Sequence, residues 1–380
     1  MLMKTLNPLF ARPALLVCLA LTAGIFAGCA TVQSPPVRTG GAENIRPPEP
    51  APPPVNQIAD SAIVRQIMGE ADKLSTMAQS DLAKNFLRAT RSLPAVGVRK
   101  AWQRPNNQTY VAQSQYAGLP EAERNKLVVV ELDEYRYYYT KYGTPLGYLR
   151  LLEVMSNNGI PDVANKKILD FGYGGIGHLR LLASLGANMV GVDVDSYLEA
   201  LYDEPGDTGR IAPAATSRNR NTYGSINIIN GAYPKDPVIT AEVGGGYDVI
   251  ISKNTLKRGY IKPERKVDKK FLVNLGVSDE VFLSTLFAAL KPGGRFIIYN
   301  LQPKQGDEKQ PYKPHADGRC PYTSAQFEAA GFRVITIDAN DDPAIRELGR
   351  RIGWDKNEAG EVISDLEKNL FASYSVVQKP

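Results

Sequence analysis

The amino-acid sequence predicts an α/β fold built on a doubly wound, mostly parallel sheet. Two observations carry this prediction. Short apolar segments typical of buried strands alternate with helical segments from about residue 165 onwards, an order typical of parallel sheets covered by helices on both faces. A glycine-rich turn, Gly172 to Gly177, joins the first of these strands to the first helix. With 380 residues, 43% of them hydrophobic, the chain can bury at least one large core.

The preceding segment, residues 58–160, is predicted to be a helical extension. Apolar residues recur every three or four positions from 58 to 91, which predicts a helix there. Thr144 has the character of an N-cap residue and Pro145 suits the first helical position, so a second helix is expected to run to Ser156. The stretch from Tyr110 to Leu132 gives no clear pattern.

Residues 161–380 are predicted to form the α/β domain itself. Strands are expected at 168–171, 189–193, 226–230, 247–252, 294–300, 332–338 and 373–377, and helices at 196–202, 279–290, 343–352 and 359–369. Thr323 and Gln326 have the spacing of a capping box, which predicts a further helix that ends at Gly331.

The N-terminus has the pattern of an export signal. Lys4 and Arg12 precede an apolar stretch, 14–27, which ends in small residues before Cys29. This pattern resembles the lipobox of bacterial lipoproteins, which implies that residues 1–28 are removed and that Cys29 is lipidated and holds the protein on the membrane. The alternative is an uncleaved membrane anchor, because the apolar stretch is almost long enough to span a bilayer.

The segment from 29 to 57 is rich in proline and has almost nothing to bury, so it is predicted to be a disordered tether. Either form of attachment places the body of the protein in the bacterial cell envelope, on the periplasmic side. Ala30 after Cys29 favours the outer membrane, by the sorting rule of lipoproteins.

Charge and cysteine content exclude or disfavour several kinds of partner and site. The formal net charge is +5 and no run of Lys or Arg stands out, so no nucleic-acid partner is expected. After cleavage and lipidation, Cys320 would be the one free thiol of the mature chain. This excludes an internal disulfide and a structural metal site built on cysteines.

The glycine-rich turn is the strongest functional signal. Residues 172–177 fit the dinucleotide pattern G-x-G-x-x-G, and Asp193 follows about 20 residues later, where an acid can accept hydrogen bonds from ribose hydroxyls. Glycines let the backbone approach a ligand and a helix N-terminus offers free N–H groups. The turn therefore predicts a site for an adenosine-containing cofactor, and an NAD-linked oxidoreductase is one candidate.

Four segments, at 168–174, 190–193, 247–252 and 290–298, resemble the motifs of class I S-adenosylmethionine-dependent methyltransferases. The resemblance implies a Rossmann-like sheet with an antiparallel last strand, and S-adenosyl-L-methionine as the cofactor. Asp170, two residues before the first glycine, would repel a pyrophosphate but can accept a charge-assisted hydrogen bond from the ammonium of a methionine moiety. Asp170 therefore favours S-adenosylmethionine over NAD.

The resemblance also implies a set of cofactor-binding residues. The segment before the first motif often folds over the cofactor in this family, and here it carries a cluster of tyrosines. The predicted cofactor-binding residues are Asp170, Gly172, Gly174, Gly175, Asp193, Asn254, Tyr142 and Thr144.

The acceptor site is predicted on the loops that follow the fourth and fifth strands. Lys253, Lys257 and Arg258 would place positive charge there, which suits an acidic small-molecule or envelope substrate, although the same residues also fit a solvated loop. His315 lies in a polar loop at the same edge and is the candidate general base. His178, at the start of a helix, is interpreted as a packing residue.

Two departures from the family pattern leave a second function open. Ile176 stands where the family usually has a third glycine, and the chain has Asn230-Gly231-Ala232 where an acid often lies near the adenine. A non-catalytic envelope binding protein that keeps the fold is therefore the alternative to a methyltransferase.

Overall fold

The structure is a computed structural model that describes residues 61–106, 109–215 and 221–380. The predicted signal, the tether and Cys29 lie outside the described residues. Within these ranges, no helix has both the length and the apolar character needed to cross a bilayer.

Helices and short strands alternate along the described chain. The strands are β1 Arg99–Gln103, β2 Tyr110–Val111, β3 Val128–Leu132, β4 Lys167–Phe171, β5 Asn188–Asp193, β6 Gly209–Ile211, β7 Gly224–Asn230, β8 Tyr247–Lys253, β9 Leu290–Gln302, β10 Arg333–Asn340 and β11 Phe371–Gln378. The helices are α1 Ala62–Leu74, α2 Asp81–Ala89, α3 Gln113–Tyr116, α4 Glu121–Arg124, α5 Glu134–Tyr139, α6 Leu149–Asn157, α7 Gly177–Ser184, α8 Ser196–Leu201, α9 Pro237–Val243, α10 Arg258–Ile261, α11 Asp279–Ala289, α12 Ser324–Ala329, α13 Asp342–Ile352 and α14 Leu366–Asn369.

The central sheet has the order β10-β11-β9-β8-β4-β5-β7-β6. The strands from β9 to β7 run parallel to their neighbours. β11 is antiparallel to both β9 and β10, and β6 adds an antiparallel edge. This order confirms the predicted α/β fold, a doubly wound, mostly parallel, Rossmann-like sheet whose last strand is antiparallel.

The point where the strand order reverses lies between β4 and β8. The chain leaves β4 towards β5 and β7 on one side, then returns to β8 on the other, where Asp170 pairs with Ile251. In open α/β sheets, ligands bind in the crevice at the carboxyl ends of the strands at this switch point. The glycine turn after β4 and the residues after β8 therefore border the same crevice.

The extension packs on the sheet as part of the same core. Buried residues of α1, α2 and α6, such as Ile67, Phe86 and Leu152, join one cluster with Ile168 of β4 and Leu179 of α7. A second cluster covers the other face of the sheet and includes the side chains of α11 and α12. The extension therefore has no separate hydrophobic core among the described residues.

The extension differs from the prediction in two respects. The helix predicted over 58–91 is interrupted between α1 and α2, because the Ser80 side chain caps α2 and the buried Glu153 carboxylate accepts hydrogen bonds from the Gln79 and Ser80 N–H groups. The segment without a clear pattern contributes β2 and β3 to a three-stranded antiparallel sheet in the order β2-β1-β3. The extension is therefore only partly helical.

Sequence signals at helix ends agree with the structure better than the predictions for the extension do. Thr144 accepts a hydrogen bond from the Leu146 N–H as the predicted N-cap, ahead of a 3-10 turn that leads into α6. Thr323 and Gln326 form the predicted capping box. The helix predicted over 359–369 is wrong before Leu366, because Gly360 has φ +83° in a tight turn and Asp365 caps the short α14.

Candidate functional site

The glycine turn after β4 is held tightly by its surroundings. Gly172 and Gly174 have positive φ angles of 74° and 60°, which favour glycine. The Gly172 N–H donates to the Val192 carbonyl at 2.8 Å, which fixes the turn against β5. A Cβ at Gly172 would overlap the Thr255 side chain, so the residue that follows Asn254 lies directly against the turn. Thr255 was not among the residues predicted from the sequence.

Asp170 lies fully buried at the base of the crevice. Its Oδ2 is 2.6 Å from His178 Nε2 and accepts a hydrogen bond from the Tyr148 hydroxyl at 3.0 Å. The rings of His178 and Tyr148 stack with centroids 3.5 Å apart, and burial lowers the pKa of His178. Oδ1 is buried and has no hydrogen-bond partner among the described residues. One carboxylate oxygen therefore supports the packing of the extension, while the other is left for a ligand.

Asp193 and Gly174 are brought together as predicted. Asp193 Oδ2 accepts a hydrogen bond from the Gly174 N–H at 3.3 Å, while Oδ1 accepts from the Val194 and Asp195 N–H groups at 2.8 and 3.1 Å. Burial, assisted by the negative charge of Asp195, raises the pKa of Asp193 to about 6. Asp193 lies at the end of β5, close to the glycine turn, where it can reach a ribose.

Tyr142 covers the glycine turn from the side of the extension. A Cβ at Gly174 would lie 3.2 Å from the Tyr142 ring. The Tyr142 hydroxyl donates to Asp195 at 2.6 Å, and Lys141 forms an ion pair with the same carboxylate at 2.6 Å. The ring is therefore held in place over the turn.

Thr140 and Thr144 flank Tyr142 and have different partners. The Thr140 hydroxyl donates to the Gly174 carbonyl at 2.9 Å, and its methyl group lies 3.2 Å from the position of a Cβ at Gly175. Thr144 Oγ1 is 3.3 Å from Glu70 Oε2, in addition to its capping role. Thr140 therefore contacts the turn, and sequence analysis missed it because a threonine within a tyrosine cluster carries no motif.

Asn254 uses its side chain to hold neighbouring backbone. Its Oδ1 accepts a hydrogen bond from the Leu301 N–H at 2.7 Å, and its own N–H donates to the Tyr299 carbonyl at 3.0 Å. The residue has a positive φ of 65°. Asn254 directly follows β8, and its amide oxygen ties the end of β8 to β9.

The three positive residues at and just after the end of β8 are in different environments. Lys257 is buried and its Nζ donates to the Leu301 and His315 carbonyls, while Arg258 pairs with Glu264 at 3.1 Å. Lys253 is half-buried, with Nζ 5.2 Å from the centroid of the Tyr148 ring. Two of the three charges are therefore engaged within the chain, and Lys253 is left as the positive group that faces the crevice.

Burial changes the protonation of both lysines. It lowers the pKa of Lys253 to about 8, although the charge of Asp170 acts in the opposite direction. It lowers the pKa of Lys257 to about 7, with a further contribution from the charge of Lys253. The pKa of the Lys253 amine therefore lies close to neutral pH, and such shifted pKa values are common at functional sites.

The loop with His315 packs on the segment after β8. The Gly259 N–H donates to the Asp317 carbonyl at 3.0 Å, and Asn300 Nδ2 donates to the Leu256 and Gly318 carbonyls. His315 is exposed as a whole residue, but the surrounding chain removes its ring from water, and this desolvation, together with the charges of Lys257 and Lys313, lowers its pKa to about 4. A base with so low a pKa is inefficient near neutral pH.

Cys320 is buried, and burial raises the pKa of its thiol to about 12. The thiolate is the nucleophilic form of cysteine. Cys320 is therefore a packing residue rather than a nucleophile.

Comparisons with known proteins give a likeness in structure only. No family model matches the sequence. No curated protein matches it either.

Similar solved structures include the [4+2]-cyclase SpnF, with 15% identity over 61% of this chain and 80% of the other, at a TM-score of 0.35. Phosphoethanolamine N-methyltransferase 2 of Haemonchus contortus, in complex with phosphomonomethylethanolamine and S-adenosylhomocysteine, has 14% identity over 67% and 62%, at 0.38. An S-adenosylmethionine-dependent methyltransferase from Mesorhizobium loti has 13% identity over 61% and 97%, at 0.34.

Proposed function

We propose that this chain binds S-adenosylmethionine at the crevice between β4 and β8 and transfers its methyl group to an acceptor. The observation that carries the proposal is the pairing of Asp170 with the glycine turn at the switch point of the sheet. A buried acid, a turn with two positive-φ glycines and a second acid at the end of β5 lie along one edge of the sheet. Such an edge suits an adenosine joined to a cationic amino-acid tail.

The residues present fit this cofactor. The free Oδ1 of Asp170 would accept a hydrogen bond from the ammonium of the methionine moiety, and Asp193 would bind the ribose hydroxyls. Tyr142 would cover the ligand above Gly174. When bound, the cofactor supplies an electrophilic methyl group. The chain's own residues hold and orient it, and they exclude water from the buried end of the crevice.

The NAD-linked alternative has weaker support. The phosphates of a dinucleotide would have to approach the glycine turn beside the carboxylate of Asp170, whose hydrogen-bond partners among the described residues are the Tyr148 hydroxyl and the ring of His178. Burial lowers the pKa of that ring and so disfavours its charged form. The charge of Asp170 therefore works against a pyrophosphate.

A second candidate is a non-catalytic binding protein that keeps the fold. Thr255 lies against Gly172, and three backbone N–H groups already occupy the Asp193 carboxylate. Ile176 is fully buried and its backbone N–H donates to the Tyr202 hydroxyl oxygen, so the altered glycine position is part of the packing. These contacts favour a site that no longer binds S-adenosylmethionine as a methyl donor.

Equilibrium binding separates the candidates. Titration calorimetry of the purified full chain with S-adenosylhomocysteine should show binding well below about 1 mM, with a matching rise in the melting temperature. Binding of NAD without S-adenosylhomocysteine would establish the oxidoreductase instead. No heat with either ligand would reject both enzymes and leave the binding protein.

The location is proposed from the N-terminal sequence. A lipid on Cys29 would hold the protein in the bacterial cell envelope, and the acceptor would be a small molecule or an envelope component. Replacement of Cys29 by Ser should move the protein from the membrane to the soluble fraction after cell lysis. Retention of the Cys29→Ser variant in the membrane would indicate an uncleaved anchor.

A further inference from the structure

Lys253 is a charged group without a partner in a confined place. It ends β8, its side chain is half-buried, and its Nζ forms no hydrogen bond or ion pair with the described residues. Nζ lies 5.2 Å from the centroid of the Tyr148 ring, and a Cβ added at Gly147 would lie 3.5 Å from Nζ. A charged amine that is partly removed from water is unfavourable unless it is paired, so this amine would be stabilised by an anion.

Asp170 presents the opposite charge on the same face of the sheet. Asp170 pairs with Ile251 across the parallel strands β4 and β8. Side chains two residues apart on a strand share a face, so Lys253 projects on the side of Ile251 and Asp170. The Tyr148 hydroxyl contacts Asp170 Oδ2 while its ring faces Lys253 Nζ. Tyr148 therefore lies between the two charges.

The two charges do not satisfy each other. Asp170 and Lys253 form no ion pair, and Asp170 Oδ1 has no hydrogen-bond partner in the described chain. A buried carboxylate oxygen and a half-buried amine thus lie on one face of the sheet, on neighbouring strands, beside the same tyrosine. A ligand with a cationic and an anionic group on one carbon could make one charge-assisted hydrogen bond to each of them.

We infer that Lys253 Nζ binds the α-carboxylate, and Asp170 Oδ1 the α-ammonium, of an amino-acid group in this crevice. The inference rests on the proposed function, in which that group is the methionine moiety of S-adenosylmethionine. Lys253 is thus a specificity-determining residue for the cofactor's amino-acid end. Because its amine binds the cofactor, it is not available to bind an acidic acceptor. Gly147 packs against the end of this side chain, since a Cβ added there would lie 3.5 Å from Lys253 Nζ.

The test compares two ligands that differ only at this end. S-adenosylhomocysteine carries the amino-acid group, while 5′-methylthioadenosine keeps the adenosine and the sulfur without it. Titration calorimetry is run on the full chain, Lys253→Gln, Lys253→Arg and a control, Lys167→Gln. Lys167 lies at the amino end of β4, on the opposite edge of the sheet, where its Nζ donates to the Gly245 carbonyl.

Lys253→Gln should bind S-adenosylhomocysteine about tenfold or more weakly, the size of one lost charge-assisted hydrogen bond. Its affinity for 5′-methylthioadenosine should stay unchanged, Lys253→Arg should recover part of the loss, and Lys167→Gln should match the parent. An unchanged affinity of Lys253→Gln for S-adenosylhomocysteine, or an equal loss for both ligands, would overturn the inference. The parent chain failing to bind S-adenosylhomocysteine at all would instead overturn the proposed function.

Discussion

The guanidinium of Arg150 and the carboxylate of Asp341 form a two-pronged ion pair, with Nε 2.9 Å from Oδ2 and Nη2 2.7 Å from Oδ1. The Tyr299 hydroxyl donates to the same carboxylate at 2.7 Å. Arg150 belongs to α6 of the extension, Tyr299 to β9, and Asp341 precedes α13. This contact fastens the extension to the sheet on the face that carries Asp170 and Lys253.

Asp341→Asn should destabilise the protein by about 3–5 kcal/mol, because it leaves the mostly buried Arg150 without its counter-charge. Urea unfolding followed by circular dichroism measures the change. Asp72→Asn is the matched control, since Asp72 pairs with Arg91 on the exposed surface and should change stability by about 0.5 kcal/mol or less. Equal effects of the two variants would show that the Arg150 pair is not a principal contact.

Gly172→Ala should destabilise the protein by about 1–3 kcal/mol or more. The residue has φ +74°, which an alanine adopts only with strain, and the new methyl group would overlap Thr255. The free energy of unfolding should be compared with that of Gly143→Ala, whose φ is also positive but whose added Cβ would meet nothing within 4 Å. A loss no larger than that of Gly143→Ala would mean that Thr255 moves aside.

Asp193→Ala should weaken S-adenosylhomocysteine binding by about 1–3 kcal/mol, the cost of losing a charged hydrogen-bond partner. Because Asp193 is expected to bind the ribose, the loss should be the same for 5′-methylthioadenosine, unlike the loss in Lys253→Gln. Calorimetry with both ligands makes the comparison. Unaltered affinity in Asp193→Ala would place the ribose elsewhere.

Cofactor affinity should depend on pH at two points. The pKa of Asp193 is raised to about 6, so its carboxylate is ionised, and accepts ribose hydrogen bonds best, as the pH rises through 6. The pKa of Lys253 is lowered to about 8, so the amine loses its charge, and its hold on a carboxylate, as the pH rises through 8. S-adenosylhomocysteine affinity should therefore be highest between these values.

The loss of affinity at alkaline pH should be absent from the Lys253→Gln variant. Its absence would assign the loss to the Lys253 side chain. The other titratable groups around Lys253 are Asp170, His178, Tyr148 and Lys257. Lys257 donates to two carbonyls away from the proposed carboxylate site. An alkaline loss that persists in Lys253→Gln would point to another titrating group, either Lys257 or the ammonium of the ligand itself.

The strands of the central sheet could be predicted from the sequence as apolar runs bounded by turn residues, except for the edge strand β6, Gly209–Ile211, which has no such run. Asp170, Gly172, Gly174 and Asp193 could be placed at one edge for the same reason, since each ends a strand or follows one directly. Their chemistry is set by residue type and by position in a local motif. Both are readable without knowledge of long-range contacts.

Contacts between distant segments could not be predicted in this way. The break between α1 and α2 depends on Glu153, which lies 73 and 74 residues from its two N–H partners. Thr255 meets Gly172, and Tyr148 meets Asp170, only once β8 and the extension have packed. The engagement of Lys257 with two carbonyls likewise has no local signature. Such pairings are properties of the folded molecule.

The position of β11 has a consequence for how the molecule forms. This strand, the last in the sequence, lies between β9 and β10 and pairs with both. During synthesis, β10 therefore has no neighbour in the sheet until residues 371–378 have left the ribosome. Pairing at that edge must be among the late events of folding, and the unpaired strands before it are exposed to association with other chains. A truncation before Phe371 should therefore reduce the soluble yield strongly. It removes the eight paired residues of β11, and it also leaves β10 without a partner strand and open to association with other chains.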